Sequence, residues 1–413
     1  MKSLSIIVVG GGIGGLQTAL ALGADGHKVL VLESAKEFLK IGAGIRVPPN
    51  SSRLSLAWGV DFSKTKKEIS MGNRFVDWQG NILADCPFND VEEKYGAPYY
   101  FLHRADLIEI LVEAVSEHKN VTLQMGSHVT DYDYEAPAVI VSGNRLTADL
   151  VIVADGIKSA VRNTINGRPI EPKDTGDVAY RILVPVAPLL ADPETRHLVE
   201  QPWAWMGPEA HVVGYPLRSG ELYNIIIDIT HDTDVGEPIS GDDWRSQGDN
   251  DELIKRFSEW CKPKWKLADF DQLDNWVHPN GNVALLGDAC HPMMPYMAQG
   301  AAQATEDAAT LQAALRAYEY EDLHKALKVY EKQRRPRAAY VMKNTRILQE
   351  WLHLYDGPER DRRDALMKRD EGSNPIYWAY SERRDWLFAH DASKLDNEPR
   401  AEYKCDFQAA YAR

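Results

Sequence analysis

The sequence has few cysteines, and no arrangement of them that is typical of a metal site. Its 413 residues contain four, Cys86, Cys261, Cys290 and Cys405, without a C-x-x-C pair. Four cysteines in a chain of this length are ordinary for a reduced intracellular protein. Cys290 and His291 have no other cysteine or histidine at ligand spacing nearby, so we expect no metal there.

Basic residues and long apolar runs are also scarce. The chain has 47 Lys and Arg against 61 Asp and Glu, which gives a net charge of -14. This balance argues against a nucleic-acid partner, because binding phosphates requires a basic face. No apolar run reaches the ~18 residues of a membrane helix, and the run at residues 6–9 leads into glycines, unlike a signal peptide. We expect a cytoplasmic protein without a nucleic-acid or membrane partner, as a monomer or homodimer.

The N-terminal segment has the pattern of a dinucleotide-binding βαβ unit. Apolar strands at residues 5–9 and 28–32 flank a stretch of helical periodicity at 16–26, and Glu33 follows the second strand. Three glycines occupy the first turn: Gly10, Gly12 and Gly15. Such glycines allow a tight turn, close approach of a pyrophosphate and close helix packing. Glu33 suits a ribose hydroxyl pair and disfavours a 2′-phosphate. A cluster of helix-packing glycines is the alternative interpretation.

Two later segments repeat one feature of this unit, an apolar strand that ends at an aspartate. Residues 149–156 read DLVIVADG and place Asp155 after a strand, and residues 283–292 read VALLGDACHP and place Asp288 after another. Each segment alone is a weak signal. In this order, and after the βαβ unit, the three segments together indicate a single FAD site.

Between these segments the pattern changes to one of antiparallel strands. Apolar runs at residues 181–186, 210–215 and 223–228 are joined by turns, with Pro216 and Ser219 marking a hairpin. We predict an α/β fold with a Rossmann-like FAD-binding domain, an inserted antiparallel β-sheet substrate domain and a helical C-terminus. The expected boundaries are residues 1–70, 101–175 and 277–345 for the FAD-binding domain, 71–100 and 176–276 for the substrate domain, and 346–413 for the helical tail.

Several motifs resemble one enzyme family. They are GAGI at 42–45, HRADL at 103–107, the DG pair at 155–156, and GDACHPMMPYMAQGAAQATEDAA at 287–309. In combination they resemble the single-component FAD-dependent aromatic hydroxylases, which are class A flavoprotein monooxygenases, and specifically the salicylate hydroxylase-like branch. The resemblance covers about residues 4–345. It implies FAD as cofactor and NADH or NADPH as a transient reductant, because no second glycine fingerprint is present.

The resemblance also implies roles for residues at the FAD site. Arg104 reaches the phosphate or ribitol region, Asp155 supports both FAD and the passing nicotinamide, and Asp288 accepts hydrogen bonds from the ribitol. A surface salt bridge, a strand-end turn and a helix cap are the respective alternatives. The remaining residues expected near FAD are Gly44, Pro295, Gly300 and Ala301. The last two open a helix whose N–H groups would face the flavin pyrimidine edge and stabilise its negative charge.

In this family a flavin C4a-hydroperoxide, formed with O2, hydroxylates an electron-rich ring. His211 and Tyr215 lie four apart in a strand, on one face, and resemble a pair that binds or removes the phenol proton. Arg181 would lie near the flavin or anchor an anionic substrate, and Tyr296 would line the substrate side. Tyr180 and Arg46 are tentative substrate residues. Structural roles in the sheet remain open for His211 and Tyr215, and a solvated side chain for Arg46.

We therefore expect an NAD(P)H- and O2-dependent FAD monooxygenase that hydroxylates a small phenolic or carboxylated aromatic compound. One alternative is a tailoring monooxygenase that hydroxylates, epoxidises or dearomatises an indole or a polyketide phenol. Another, of a different class, is a flavin-binding reductase or scaffold without monooxygenase activity.

Overall fold

The structure is a computed structural model that describes residues 2–38, 42–230, 235–237 and 264–395. Cys261, Cys405 and parts of the predicted substrate domain and C-terminal tail lie outside these ranges. Within them the chain forms eighteen strands and ten α-helices. None of these helices combines the length and the apolar character that crossing a lipid bilayer requires.

The strands are Ser5–Val9 (β1), Lys28–Leu32 (β2), Gly44–Val47 (β3), Glu68–Ile69 (β4), Gly72–Asp77 (β5), Ile82–Pro87 (β6), Tyr100–His103 (β7), Val121–Gln124 (β8), Val129–Asp133 (β9), Ala138–Val141 (β10), Asn144–Thr147 (β11), Leu150–Val153 (β12), Lys173–Pro185 (β13), Trp203–Gly207 (β14), Ala210–Leu217 (β15), Leu222–Thr230 (β16), Lys264–Asp269 (β17) and Val283–Leu285 (β18). The helices are Ile13–Ala24 (α1), Pro49–Ala57 (α2), Val91–Tyr95 (α3), Arg104–Glu117 (α4), Val161–Asn166 (α5), Val186–Ala191 (α6), Gly300–Ala317 (α7), Leu323–Leu352 (α8), Pro358–Leu366 (α9) and Ser381–Phe388 (α10).

A five-stranded parallel sheet in the order β18-β12-β1-β2-β8 forms the nucleotide-binding half. Its central strands β12 and β1 are almost entirely apolar and buried, as is typical of parallel strands that are covered on both faces. The Rossmann-like α/β prediction is confirmed. Helix α1 begins at Ile13, earlier than the periodicity indicated, because Gly14 and Gly15 lie inside the helix where they pack closely against other elements.

A seven-stranded sheet in the order β17-β13-β16-β15-β14-β5-β6 forms the other half. All its pairs are antiparallel except β14 with β5. The hairpin between β15 and β16 turns at Arg218 and Ser219, which both have positive φ. Pro216, expected in the turn, instead lies within β15. Because β14 pairs with β15 only as far as Gly214, Pro216 occupies a free strand edge, which tolerates proline.

The two faces of this large sheet pack differently. The face that we call the front face carries Tyr215 and contacts Met294, Tyr296 and the C-terminal helices. The opposite face, here the back face, carries an apolar cluster that includes Ile225 and Ile227. The front face therefore adjoins the segment between β18 and α7, where the sequence predicts the flavin.

The C-terminal part is helical, as predicted. Helices α7 and α8 are separate, because the chain turns at Glu319 and Tyr320, which have positive φ. Two small antiparallel sheets, β11-β10-β9 and β3-β7-β4, were not anticipated. The domain boundaries given above stay a prediction.

Candidate active site

The carboxyl ends of the parallel strands bring the three sequence segments to one edge. Strands β18, β12, β1 and β2 are parallel neighbours, so the residues that follow them line up along that edge. Gly10, Asp155 and Asp288 lie there, together with Glu33. One carboxylate oxygen of Glu33 accepts a hydrogen bond from the Gly11 N–H at 2.8 Å. This edge is the place where a doubly wound sheet binds its ligand.

The glycine turn contains two tight contacts and one open position. Gly10 has φ of +104°, and a Cβ there would lie 2.3 Å from the Ala154 carbonyl oxygen. A Cβ at Gly15 would lie 1.9 Å from the Gly10 carbonyl oxygen, while one at Gly12 would meet nothing within 4 Å. Gly12 also precedes α1 without a side-chain cap. The open space before a helix N-terminus suits a pyrophosphate.

Asp288 lies beside a cleft. Its side chain is exposed, yet the surrounding protein desolvates the carboxyl and raises its pKa, while nearby His291 and Arg104 favour the charged form. Arg104 is the first residue of α4, and its effect on the Asp288 carboxyl places the start of this helix near Asp288. A carboxyl that faces open space and has a cation nearby fits a polyhydroxyl chain linked to phosphates.

The N-terminus of α7 follows a sharp turn. Pro295 opens a short 3-10 turn and Ala298 has φ of +52°. Gly300 then starts the helix, and no side chain caps it. Gly300 and Ala301 are half-buried. The first N–H groups of this helix therefore carry the positive end of its dipole without a side-chain cap. That they face a flavin edge which gains negative charge stays a prediction.

A fully paired ion network lies beneath that helix. Arg334 donates to Glu306 at 2.6 Å and to Asp307 at 2.8 Å, and Arg337 donates to Glu306 at 2.7 Å. Asn50, two residues into α2, donates to Glu306 at 2.6 Å. These cations hold the pKa of both carboxyls below their usual range despite complete burial. The network fixes α7 against α2 and α8.

Cys290 and His291 lie in the GDACHP turn, and Asp307 lies close to both of them. One donor atom each of Cys290, His291 and Asp307 lies within 4.8 Å of the others. Asp307 accepts from the Gly287 N–H at 3.0 Å and pairs with His291 at 2.6 Å. Burial raises the pKa of the Cys290 thiol well above its usual value. Asp307 also accepts a hydrogen bond from Arg334. The three side chains therefore belong to a hydrogen-bonded turn. The absence of a metal there stays a prediction.

Arg46 lies over the aromatic part of the front face. Its guanidinium carbon is 5.0 Å from the Tyr215 ring centroid and 5.1 Å from that of Phe101. Its charge also opposes the rise in the pKa of Tyr99 and Tyr215 that burial causes. No carboxylate of the described residues forms an ion pair with Arg46. The half-buried guanidinium of Arg46 thus lies among aromatic side chains.

Gly44 is needed for the position of Tyr215. A Cβ at Gly44 would lie 2.3 Å from the tyrosine hydroxyl. The Gly44 N–H donates to Asn224 at 2.9 Å, and Asn224 lies opposite Tyr215 in the β15–β16 pair. The Asn224 amide nitrogen is buried without a hydrogen-bond partner in the described part of the chain. Gly44 thus connects the GAGI segment to the front face.

Both ring nitrogens of His211 are engaged by protein groups. Nδ1 is 2.8 Å from Nε2 of His353, and Nε2 is 3.2 Å from Asp228, the residue opposite in β16. Burial, His353 and Arg46 all lower the pKa of His211 well below its usual value. Burial raises the pKa of Asp228 to about 7, although nearby Arg181 opposes this.

Tyr296 lies against this pair with its ring 5.4 Å from the His211 ring. The Tyr296 hydroxyl donates to Asp177 at 2.6 Å, so a buried carboxylate fixes the position of this side chain. Asp177 also accepts from Thr230 and from Gln349, both at 2.7 Å. The catalytic role predicted for Tyr296 stays a prediction, and the structure gives it an anchoring contact.

The structure does not bring Tyr180 to the front face. Successive residues of a strand point to opposite faces, and Arg181 interacts electrostatically with Asp228 and Tyr215 on the front face. Tyr180 is fully buried in the apolar cluster of the back face. Of the sheet residues predicted at the substrate, Arg181, His211 and Tyr215 therefore lie together and Tyr180 lies apart.

Sequence reasoning missed four polar residues of the site. Asn224 and Asp228 had a local signal, since they are polar positions spaced four apart in an otherwise apolar strand, the same spacing as His211 and Tyr215. His353 and Asp177 had none, because their partners lie far away in the chain.

Comparison with known proteins agrees with this geometry. Residues 3–345 match the model of a protein family described as the FAD binding domain. The chain belongs to this family. The protein is 34% identical, over 95% of its length and 96% of the relative's, to the FAD-dependent monooxygenase OpS4 of Beauveria bassiana (strain ARSEF 2860). It is 33% identical, over 93% and 98%, to a 3-hydroxybenzoate 6-hydroxylase of Klebsiella oxytoca.

A solved salicylate hydroxylase–substrate complex has the same fold, with a TM-score of 0.77 at 27% identity over 94% of this chain and 96% of that one. The resemblance inferred from the motifs is confirmed: the protein is an FAD-dependent monooxygenase. The residues present fit FAD, because an open helix N-terminus at Gly12, a cleft-facing carboxyl at Asp288 and an uncapped helix at Gly300 follow one another along the sheet edge. The reductase and scaffold alternative is therefore set aside.

Proposed function

We propose that the protein uses NADH or NADPH and O2 to hydroxylate a small aromatic compound that carries a phenolic hydroxyl or a carboxylate. The observation that carries this proposal is the position of Arg46, half-buried over two aromatic rings on the front face. A guanidinium in such a place suits a flat anion, since it offers several N–H donors in one plane. A 3-hydroxybenzoate hydroxylase among the relatives supports the same substrate class.

The residues have separable tasks in this reaction. Bound FAD supplies electron transfer from the nicotinamide to O2 and the activation of O2. Arg46 and Arg181 hold the anionic group of the substrate, and Tyr215, packed on Gly44, fixes its ring position. The His211–Asp228 pair accepts the phenolic proton, because an electron-rich phenolate is attacked by an electrophilic oxygen more readily than a phenol.

A tailoring monooxygenase that acts on a larger natural product is the second candidate. It is favoured by OpS4, which is about as similar to this chain as the hydroxybenzoate hydroxylase is and bears only the general name of a monooxygenase. We further propose a cytoplasmic enzyme that works as a monomer or homodimer; light scattering of the FAD-loaded protein would decide between the two states.

The deciding experiment is a panel of aromatics scored by stimulated NADH and NADPH oxidation, with 18O2 and mass spectrometry of the product. We expect carboxylated phenols to accelerate oxidation and to gain one labelled oxygen. The proposal is wrong if no aromatic of either size class accelerates oxidation, or if only large, uncharged natural products do; the latter result supports the second candidate.

Arg46→Ala sharpens this test. Loss of one charge-assisted contact of about 1.5–3 kcal/mol should raise KM for a carboxylated substrate on the order of 10- to 100-fold. The matched control is the amide of the same substrate, for which KM should hardly change. Equal effects on acid and amide would show that Arg46 does not read the charge.

A further inference from the structure

The contacts of His211 continue into a chain of close polar contacts. Asp228 and His211 are in contact at 3.2 Å, His211 and His353 at 2.8 Å, and His353 and Thr230 at 2.8 Å. The Thr230 hydroxyl then lies 2.7 Å from Asp177. Every link has hydrogen-bond length, and every member can both give and take a proton. His353 follows α8 and lies beyond the residues that the family model matches.

The chain has a definite direction. Asp228 has one buried carboxyl oxygen without a hydrogen-bond partner among the described residues, whereas Asp177 accepts from Thr230, Tyr296 and Gln349. Asp177 is therefore the better-stabilised carboxylate. When Asp228 holds the proton, every donor in the chain points towards Asp177: both histidines carry their hydrogen on Nδ1, and the threonine donates to the carboxylate.

The same side-chain atoms can also form the chain with every hydrogen-bond donor reversed. When Asp228 is ionised, His211 donates to it from Nε2, His353 donates to His211 from Nε2, and Thr230 donates to His353. A proton taken up at Asp228 can therefore be released at Asp177 as each member passes on one hydrogen. No redox step is involved: one O–H bond breaks in the substrate, and one proton reaches water at the outer end.

We propose that this chain is a proton relay, in which His353 and Thr230 carry the phenolic proton from the His211–Asp228 pair to Asp177 and on to solvent. Both ends of the chain are buried, and Asp177 would exchange its proton with solvent past its half-buried partners Thr230 and Gln349. His353 and Thr230 are positioning residues, since neither contacts the substrate.

Charged groups around the relay set the pH at which it switches. His211 faces His353, Asp228 and Tyr296, and lies within the field of Arg46. Asp228 is affected by Arg181 and Asp177. Arg181 favours ionised Asp228, while burial and Asp177 favour its protonated form, and the pKa of Asp228 is raised to about 7.

The relay can be tested without any turnover, by nitrogen NMR of the 15N-histidine-labelled protein with FAD bound. We expect the hydrogen of His211 and of His353 to move from Nδ1 to Nε2 together as the pH rises through neutrality. In Asp228→Asn this joint switch should disappear. Histidines that keep one tautomer from pH 5 to 9 in the wild type would overturn the relay, whatever the enzyme's substrate.

The second test rests on the proposed function and uses a pair of near-isosteric variants. Thr230→Val removes the hydroxyl and Thr230→Ser retains it. We expect Thr230→Val to form several-fold less product per NAD(P)H at pH 7 and to recover above the pKa of the substrate phenol, where phenolate forms in solution. Thr230→Ser should match the wild type. A deficit in Thr230→Val that is equal at every pH indicates a structural role and overturns the relay.

A matched histidine pair completes the design. His353→Ala should reproduce the pH-dependent deficit while retaining FAD. His324→Ala, an exposed histidine in the first turn of α8, should leave product yield unchanged. Failure of the wild type to hydroxylate any aromatic refutes the proposed function alone, because the tautomer measurement still decides the relay.

Discussion

Two buried polar networks of the protein affect the pKa values of their carboxyl groups in opposite ways. Beneath α7, Glu306 and Asp307 meet Arg334 and Arg337, and their pKa values are lowered. Beside the front face, burial raises the pKa of Asp228 to about 7 and also raises that of Asp177. The carboxyl groups of both networks are buried.

The difference follows from the partners. Guanidinium groups remain charged at all relevant pH values, so the carboxylates beneath α7 are ionised and fixed, and the helix that faces the flavin gains a rigid support. Histidine, threonine and tyrosine are neutral hydrogen-bonding partners that can exchange protons. The same kind of carboxyl group therefore stabilises the fold in one network and is available for proton transfer in the other.

The fixed network should show the largest effect on folding. Arg334→Ala removes the only arginine among the described residues that binds both Glu306 and Asp307, and leaves Asp307 without a guanidinium partner. Breaking a buried pair typically costs about 3–5 kcal/mol. Urea denaturation with saturating FAD should show this loss in the free energy of unfolding. Arg369→Ala, which removes an exposed pair with Glu371, is the control and should change it little. A small change in Arg334→Ala would mean that the network does not support α7.

The exchangeable network should instead affect chemistry. We expect His211→Ala to retain FAD, to be reduced by NAD(P)H, and to hydroxylate on the order of 10²–10⁴-fold more slowly, releasing peroxide in place of product. Tyr215→Phe should likewise retain FAD, be reduced by NAD(P)H and hydroxylate more slowly than the wild type. Rapid-mixing spectra separate the two half-reactions. Wild-type product yield in both variants would make the pair structural.

The cofactor site should show a smaller effect. Asp288→Ala removes a carboxyl beside the cleft, and a hydrogen bond to a charged group contributes about 1.5–3 kcal/mol. We expect the Kd for FAD to rise on the order of 10- to 100-fold in a fluorescence titration. Asp155→Ala serves as the comparison at the neighbouring strand end. Unchanged FAD affinity in Asp288→Ala would contradict the placement of the ribitol.

The sequence predicted the local features of the site and not the side-chain partners within the two networks. The βαβ unit, the strand-end aspartates and the α7 N-terminus are local patterns, because each needs only neighbouring residues to form a strand, turn or helix. The spacing of His211 and Tyr215 likewise gave a common face. The side-chain partners could not be predicted: Asp228 depends on strand register, and His353 on where a 30-residue helix ends. Tyr180 was placed on the substrate side because the alternation of the strand was not applied to it.

The central claim is that Asp228 holds an exchangeable proton, and the pH dependence of folding tests it most directly. A carboxyl whose pKa is raised to about 7 binds a proton that the unfolded chain releases above about pH 4. Wild-type stability should therefore lose up to ~1.4 kcal/mol per pH unit from this group between about pH 4 and 7.

Asp228→Asn cannot ionise and should escape that loss. The free energy of unfolding of Asp228→Asn, relative to the wild type at the same pH, should rise steadily from about pH 4 to 7 and then level off. The matched variant Glu306→Gln should show no such rise in this window, because the wild-type Glu306 carboxyl is ionised in the folded protein throughout and loses its proton in the unfolded chain by about pH 5. A difference between Asp228→Asn and the wild type that is the same at pH 5 and pH 7 would contradict the account.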